Sequence, residues 1–192
     1  MSVEEPIQVT PALCAYISAS QTAEVSETTR ALARLHILDT LAAIVACRDL
    51  APATLARRFA LDQSGDARKN AATILGGHET ASIGDAVFAG AMTGHAAEIN
   101  DFIPSAFVQP GPAVLACALA LAEQRRLNGE ALLRAVIVGY ELAGRIPKAL
   151  GVDNLRRAGV ANHGIGPVFG AAATAASVLR FSTEEVAHTL SY

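Results

Sequence analysis

The sequence predicts a single all-α domain. Just over half of its 192 residues are hydrophobic, but only 5% are aromatic, and alanine supplies much of the hydrophobic content. Small side chains favour closely packed helices, whereas sheets prefer β-branched and aromatic residues. The length suits one domain with a substantial core, and neither a repeat nor a linker divides the sequence.

Capping residues and hydrophobic spacing indicate where the helices begin. Thr10–Pro11 suits the cap and first position of one helix, and Ser26 suits the cap of a long second helix. Ser182 and Glu185 form a capping box for the last helix, and Pro147 is expected to end or kink its helix. The other helices are predicted to begin at Pro52, Ser82, Gly111, Glu130 and Gly164, with a short extended segment over 71–75.

Charge and cysteine content restrict the classes of function. A net charge of −3 argues against general nucleic-acid binding. Residues 125–157 carry seven cationic and three acidic side chains; this excess would suit an anionic ligand, but solvated helix faces explain it more simply. The three cysteines are widely spaced in hydrophobic runs, and no signal peptide is evident. We therefore expect buried free thiols and a cytoplasmic location.

One segment raises the alternative of a membrane protein. Residues 163–179 contain no charged side chain apart from His163. The run is shorter than the roughly 20 residues that a membrane helix needs, and it contains three glycines and a proline. We predict a buried core helix here, with a small-residue membrane bundle as the alternative.

The first candidate for chemistry is the segment from His95 to Asp101. A helix rich in small residues leads into an imidazole, an amide and two carboxylates. His95 and Glu98 are three residues apart, so both can share one helix face. A histidine beside carboxylates can act as a general acid or base near neutral pH. The simpler interpretation is that these side chains cap the helix end, and without another clustered histidine they make a poor zinc site.

Two glycine-containing segments are further candidates. The loop from Phe102 to Pro112 returns to a helix start, where backbone N–H groups can hold a substrate carboxylate. Residues 159–166 place glycines before another helix, either as an anion site or to allow close packing, and the sequence favours neither. His36 is expected to be a hydrogen-bonded core histidine.

The order of short segments along the chain resembles the MmgE/PrpD family. The segments are LDTLA at 38–42, ATILGG at 72–77, GHAAEIND at 94–101, PGPAV at 110–114, ALALAE at 118–123, VGYE at 138–141 and FGAAA at 169–173. Each is weak alone, but together they cover nearly the whole chain in the family's order. The family includes 2-methylcitrate dehydratase, cis-aconitate decarboxylase and iminodisuccinate epimerase. The resemblance implies a helical domain beside a smaller lid domain, usually in a homodimer.

The resemblance also implies site residues. The family's H-A-x-D-x-D-D motif corresponds to residues 95–101, with Glu98 and Asn100 at the first two aspartates and Asp101 at the third. Gln109 replaces a family histidine, and His163 lies two positions after another; glutamine cannot exchange protons as imidazole does. The implied roles are catalytic for His95, Glu98, Asp101 and His163, and substrate-binding for Asn100, Gln109, Arg145 and Lys148.

The resemblance implies a lyase or isomerase that removes a proton next to a carboxylate of a small di- or tricarboxylate, without metal or cofactor. Family members are longer, so residues 1–192 are expected to form only the N-terminal helical domain, without the lid and C-terminal part, and to be inactive alone. The alternative is a catalytically inactive remnant or dimerisation module of the same family.

Overall fold

The computed structural model describes residues 9–65 and 71–191 and confirms the all-α prediction. Within these ranges the chain forms helices with one small antiparallel hairpin, and the longest connection between described elements is the loop over residues 96–110. In chain order the elements are α1 Val9–Ser20, α2 Glu27–Cys47, α3 Ala51–Ser64, β1 Ala71–Thr73, β2 Thr80–Ser82, α4 Ile83–His95, α5 Gly111–Arg125, α6 Gly129–Leu150, α7 Val152–Arg157, α8 Asn162–Leu179 and α9 Thr183–Leu190.

Most helix starts follow local sequence. The Ser26 hydroxyl accepts a hydrogen bond from the Thr29 amide at 3.2 Å, which caps α2. The Ser182 and Glu185 side chains form both bonds of the predicted capping box at α9. These caps are confirmed because each side chain satisfies N–H groups within the same turn, independently of the rest of the fold.

Some element boundaries differ from the prediction. Helix α1 already includes Val9, so Thr10 is not its cap. Helix α6 continues past Pro147 to Leu150 and does not end there. Pro147 removes only one hydrogen bond near the helix end, and the residue is buried. Helix α7 was not predicted, whereas the extended segment is confirmed as β1, in which Ala72 pairs with Ala81 of β2.

The core is organised around α5, α6 and α8. Val114 and Leu115 of α5 are almost completely buried, and glycines bring the backbones of α6 and α8 together. A Cβ atom on Gly170 would lie 2.8 Å from the carbonyl oxygen of Gly139, and one on Gly166 would lie 2.6 Å from that of Ala143. The structure therefore supports close packing as the role of Gly166.

The uncharged segment 163–179 lies within α8, whose inner face is buried against α5 and α6. None of the helices in the described residues is long and hydrophobic enough to cross a membrane. Cys14, Cys47 and Cys117 are free thiols in the core, as predicted, and burial raises the pKa of Cys117 to about 12.

Candidate active site

Three of the predicted site residues meet at one cavity. His95 from α4, Gln109 from the following loop and His163 from α8 line an open space of about 210 Å³. The remaining lining side chains are hydrophobic: Phe88, Ala91, Met92, Pro112, Ala113 and Pro167. The described part of the lining includes no arginine or lysine. The cavity therefore presents two imidazoles and one amide in hydrophobic surroundings.

His95 is the last residue of α4, and its imidazole is oriented by Asn100. The Nδ1 atom of His95 lies 3.1 Å from Oδ1 of Asn100. The Asn100 amide is buried, and its Nδ2 donates to the Asp101 carbonyl oxygen at 3.4 Å. Because Oδ1 can only accept, this arrangement places the His95 proton on Nδ1 and leaves the Nε2 lone pair to receive a proton.

Glu98 is placed differently from the prediction. Helix α4 ends at His95, so the expectation that His95 and Glu98 share one helix face is wrong. Glu98 has a left-handed backbone with a φ of 53°, its side chain is exposed, and it does not line the cavity. The three-residue spacing brings side chains together only where the helix continues through both positions.

A tight turn brings Gln109 to the cavity. Ile103 and Val108 form an isolated antiparallel bridge, in which the Ile103 amide donates to the Val108 carbonyl oxygen at 2.9 Å. Phe107 adopts a left-handed φ of 51° within this turn. That conformation is uncommon for a bulky residue and is often found near functional sites. The chain thus reverses direction just before Gln109 and the start of α5.

His163, the second residue of α8, is exposed at the cavity and packs against Phe107. Their ring centroids are 5.3 Å apart in an edge-on arrangement. The Arg156 guanidinium carbon lies over the Phe107 ring, 5.4 Å from its centroid. The sequence analysis missed both Phe107 and Arg156. Arg156 lies within the cationic excess at 125–157, whereas no sequence signal distinguishes Phe107, because its placement depends on the turn.

Asp101 lies away from the cavity. Its Oδ1 accepts a hydrogen bond from the Gly111 amide at 3.1 Å, and its Oδ2 lies 3.8 Å from Nδ1 of His36. The Gly111 amide at the start of α5 therefore binds a carboxylate of the protein itself, and this N–H group is not free for a substrate carboxylate. Asp101 connects the loop after α4 to the first turn of α5.

Asp101 belongs to a buried polar group that we call the Gly111 cluster: Thr40, Asp101, Gly111 and Tyr140. A Cβ atom on Gly111 would lie 2.3 Å from Thr40 Oγ1, 2.4 Å from Asp101 Oδ1 and 2.9 Å from the Tyr140 hydroxyl. Burial raises the pKa of Asp101, whereas the Tyr140 hydroxyl and the Gly111 amide act in the opposite direction. Burial and the Asp101 charge also raise the pKa of Tyr140.

The remaining predicted residues lie on the surface. Arg145 forms an ion pair with Glu141, and neither Arg145 nor Lys148 lines the cavity. His36 is not a core histidine, because 44% of its side chain is exposed. The centroid of its ring lies 4.9 Å from the centroid of the Tyr140 ring. Among the described residues, no group of three histidine, cysteine or acidic side chains is arranged to hold a metal ion.

Comparison with protein families identifies the domain that this chain forms. Residues 11–192 match the MmgE/PrpD N-terminal domain. Comparison with curated proteins gives no match. The family match covers nearly the whole chain, and it is consistent with the helical architecture. The chain therefore belongs to the MmgE/PrpD family through its N-terminal domain.

Proposed function

We propose that this chain contributes the helical part of a metal-independent lyase or isomerase, similar to 2-methylcitrate dehydratase. The substrate class is a small di- or tricarboxylate, and the first step removes a proton from the carbon next to a carboxylate. The observation that supports this most directly is the meeting of His95, Gln109 and His163 at one cavity. Family membership supports the same class of reaction.

His95 is the proposed base. Asn100 holds its Nδ1 as a donor, so Nε2 can take the substrate proton as the C–H bond breaks. The electron pair of that bond then delocalises into the neighbouring carboxylate as an enolate-like species. In an elimination, a hydroxyl group on the next carbon leaves with a proton from His163 as water. In an epimerisation, His163 returns a proton to the opposite face of the same carbon.

The surroundings supply orientation and charge stabilisation. The Gln109 amide can donate a hydrogen bond to a carboxylate or hydroxyl oxygen. Arg156 is the cation that we propose in place of Arg145 and Lys148, because it stacks on Phe107, whose ring packs against His163. It lies outside the cavity lining, and its guanidinium is 3.7 Å from the Asp153 carboxylate, so it would have to exchange that contact for a substrate carboxylate. Once a substrate displaces water from the cavity, the hydrophobic walls would strengthen these interactions with developing charge.

Turnover and binding assays test this function. Because the helical domain is expected to be inactive alone, turnover of 2-methylcitrate, cis-aconitate and iminodisuccinate is assayed with this chain joined to a family lid domain, and binding to the chain itself is followed by calorimetry. The His95→Gln variant is expected to lower turnover by about 100-fold or more, the range for loss of a general base. His188→Gln is the matched control, because His188 is exposed on α9 away from the cavity lining. Equal activity in the two variants would contradict the role of His95.

The second candidate is a catalytically inactive helical module. It is favoured by Glu98, whose carboxylate lies outside the cavity, and by Gln109, which cannot exchange a proton near neutral pH. A folded chain that neither binds nor converts the three carboxylic acids would favour this candidate over the first.

A further inference from the structure

Helix α4 carries a hydrophobic stripe that leads up to His95. Phe88, Met92 and His95 are spaced four and three residues apart, with Ala91 between them, so all four share one face of the helix. All four line the cavity. With the rise of an α-helix, the stripe extends about 10 Å along α4. The proposed base therefore lies at one end of a hydrophobic wall.

The core does not need the large side chains of this stripe. Phe88 and Met92 are 44% and 39% exposed. The opposite face of α4 packs against the core through small buried residues: Ala86, Ala89, Gly90 and Thr93. Phe59 of α3 packs edge-on against Phe88, with the ring centroids 5.5 Å apart, and so supports the Phe88 ring at the cavity. Large hydrophobic side chains that line a cavity on the open face of an anchored helix indicate a hydrophobic ligand.

The other side of the cavity is also hydrophobic. It consists of Pro112 and Ala113 from α5 and Pro167 from α8. Beside these walls, a further carboxylate of a substrate would lose water without gaining a cation, because the described lining residues include neither arginine nor lysine. An alkyl or aryl group would gain free energy from the same burial. The space beside α4 therefore suits hydrocarbon better than charge.

We propose that this hydrophobic part of the cavity binds an alkyl or aryl branch of the substrate. We call it the tail subsite, and it consists of Phe88, Ala91, Met92, Pro112, Ala113 and Pro167. The inference rests on the proposed function: His95 acts next to a carboxylate, and the branch extends from the reacting end along α4 towards Phe88. The length of the stripe leaves room for a butyl or benzyl group. The substrate class is therefore a dicarboxylate with such a branch, in preference to a tricarboxylate.

Calorimetry with a series of 2-alkylsuccinates tests the tail subsite in the 192-residue chain. Affinity is expected to rise about threefold with each added methylene group, because each one buries further hydrophobic surface, so 2-butylsuccinate should bind about 80-fold more tightly than succinate. Tricarballylate carries a third carboxylate in place of the alkyl branch and should bind no more tightly than succinate. Affinities that do not depend on chain length would overturn the proposal.

Two substitutions on α4 locate the subsite. Met92→Gln places an amide in the wall and should weaken 2-butylsuccinate binding about fivefold, with less than about a twofold change for succinate. Leu35→Gln is its control, because Leu35 is 61% exposed on α2, outside the cavity lining. Ala91→Leu should fill the subsite and weaken 2-butylsuccinate about tenfold, but 2-methylsuccinate less than about threefold. Ala46→Leu, on the exposed surface of α2, is its control. Equal effects of each variant and its control would overturn the assigned position of the branch.

Dimethyl esters of the same succinates separate the tail subsite from the proposed function. The esters keep the branch and remove both charges, so their affinity should rise with chain length in the same way, although each ester should bind more weakly than its acid. Esters that bind as tightly as the acids, without turnover by the chain joined to a lid domain, would contradict the proposed function and leave the tail subsite in place. Turnover without chain-length dependence would do the reverse. A chain that binds neither series would overturn the tail subsite.

Discussion

The open cavity and the buried Gly111 cluster use neighbouring residues of one segment in different ways. His95 lines a cavity with hydrophobic walls, whereas Asp101, six residues later, is enclosed with Thr40 and Tyr140 beside Gly111. At the cavity, polar groups are accessible to a ligand. In the cluster, the hydrogen bond from the Gly111 amide to Asp101 joins the loop to α5. A cluster of acid and base residues in sequence can therefore divide into a binding surface and the support behind it.

The largest expected effect comes from filling the space at the Gly111 cluster. Gly111→Ala should lower the free energy of unfolding by about 3 kcal/mol, because its Cβ would overlap Thr40 Oγ1 and Asp101 Oδ1. Gly84→Ala is the control, since nothing lies within 4 Å of the corresponding Cβ position on α4. Urea unfolding of both variants measures the difference. A tolerated Gly111→Ala would show that the cluster has space to rearrange.

The next effect tests how the cavity wall is held. Gly166→Ala should lower the free energy of unfolding by about 2 kcal/mol, because its Cβ would lie 2.6 Å from a backbone oxygen of α6. Gly164→Ala, two residues earlier on α8, meets nothing within 4 Å and should be neutral or slightly stabilising. Thermal unfolding of the pair distinguishes the packed side of α8 from its open side. Equal melting temperatures would remove close packing as the role of Gly166.

Protonation of Asp101 should leave a pH-dependent signature. Since burial raises the pKa of Asp101, the folded chain keeps this proton to a higher pH than the unfolded chain. The contribution of Asp101 to the free energy of unfolding therefore falls as pH rises from the pKa of the unfolded chain, about 3.9, towards the raised pKa of the folded chain. Asp101→Asn should remove that part of the pH dependence, measured by urea unfolding across the acidic range.

Asp85 provides a control of opposite sign for this pH effect. The Ser82 and Ser64 hydroxyls lower the pKa of Asp85, so its contribution is lost as pH falls through the lowered value. Asp85→Asn should therefore remove a loss of unfolding free energy on acidification. Asp101→Asn should remove a loss of unfolding free energy as pH rises. Changes of the same sign in both variants would contradict the assigned environment of Asp101.

The smallest effect on stability is expected at the cavity. His163→Gln should change the free energy of unfolding by no more than about 0.5 kcal/mol, because the His163 side chain is exposed. Any carboxylate binding that calorimetry detects in the wild type should weaken in the same variant. A large loss of stability would place His163 in the structural support and not at the binding surface.

Sequence reasoning succeeded where contacts are local. The Ser182–Glu185 box and the Ser26 cap each act within one helical turn, so the residues that form them are visible in the sequence. It failed at Glu98, because the end of α4 at His95 separates two residues that the spacing placed on one face. The contacts of Phe107 with His163 and Arg156 could not be predicted from the sequence either, since they join a turn to two later helices.

The all-α class, most helix starts and the family are readable from the sequence, because hydrophobic period, capping chemistry and segment order are properties of neighbouring residues. Three residues of the cavity were also predicted from it. That His95 is available to a ligand, whereas Asp101 is buried on the Gly111 amide, follows from how the helices pack. The reason is that Thr40 and Tyr140, which enclose Asp101, come from α2 and α6, and burial depends on which helices pack together.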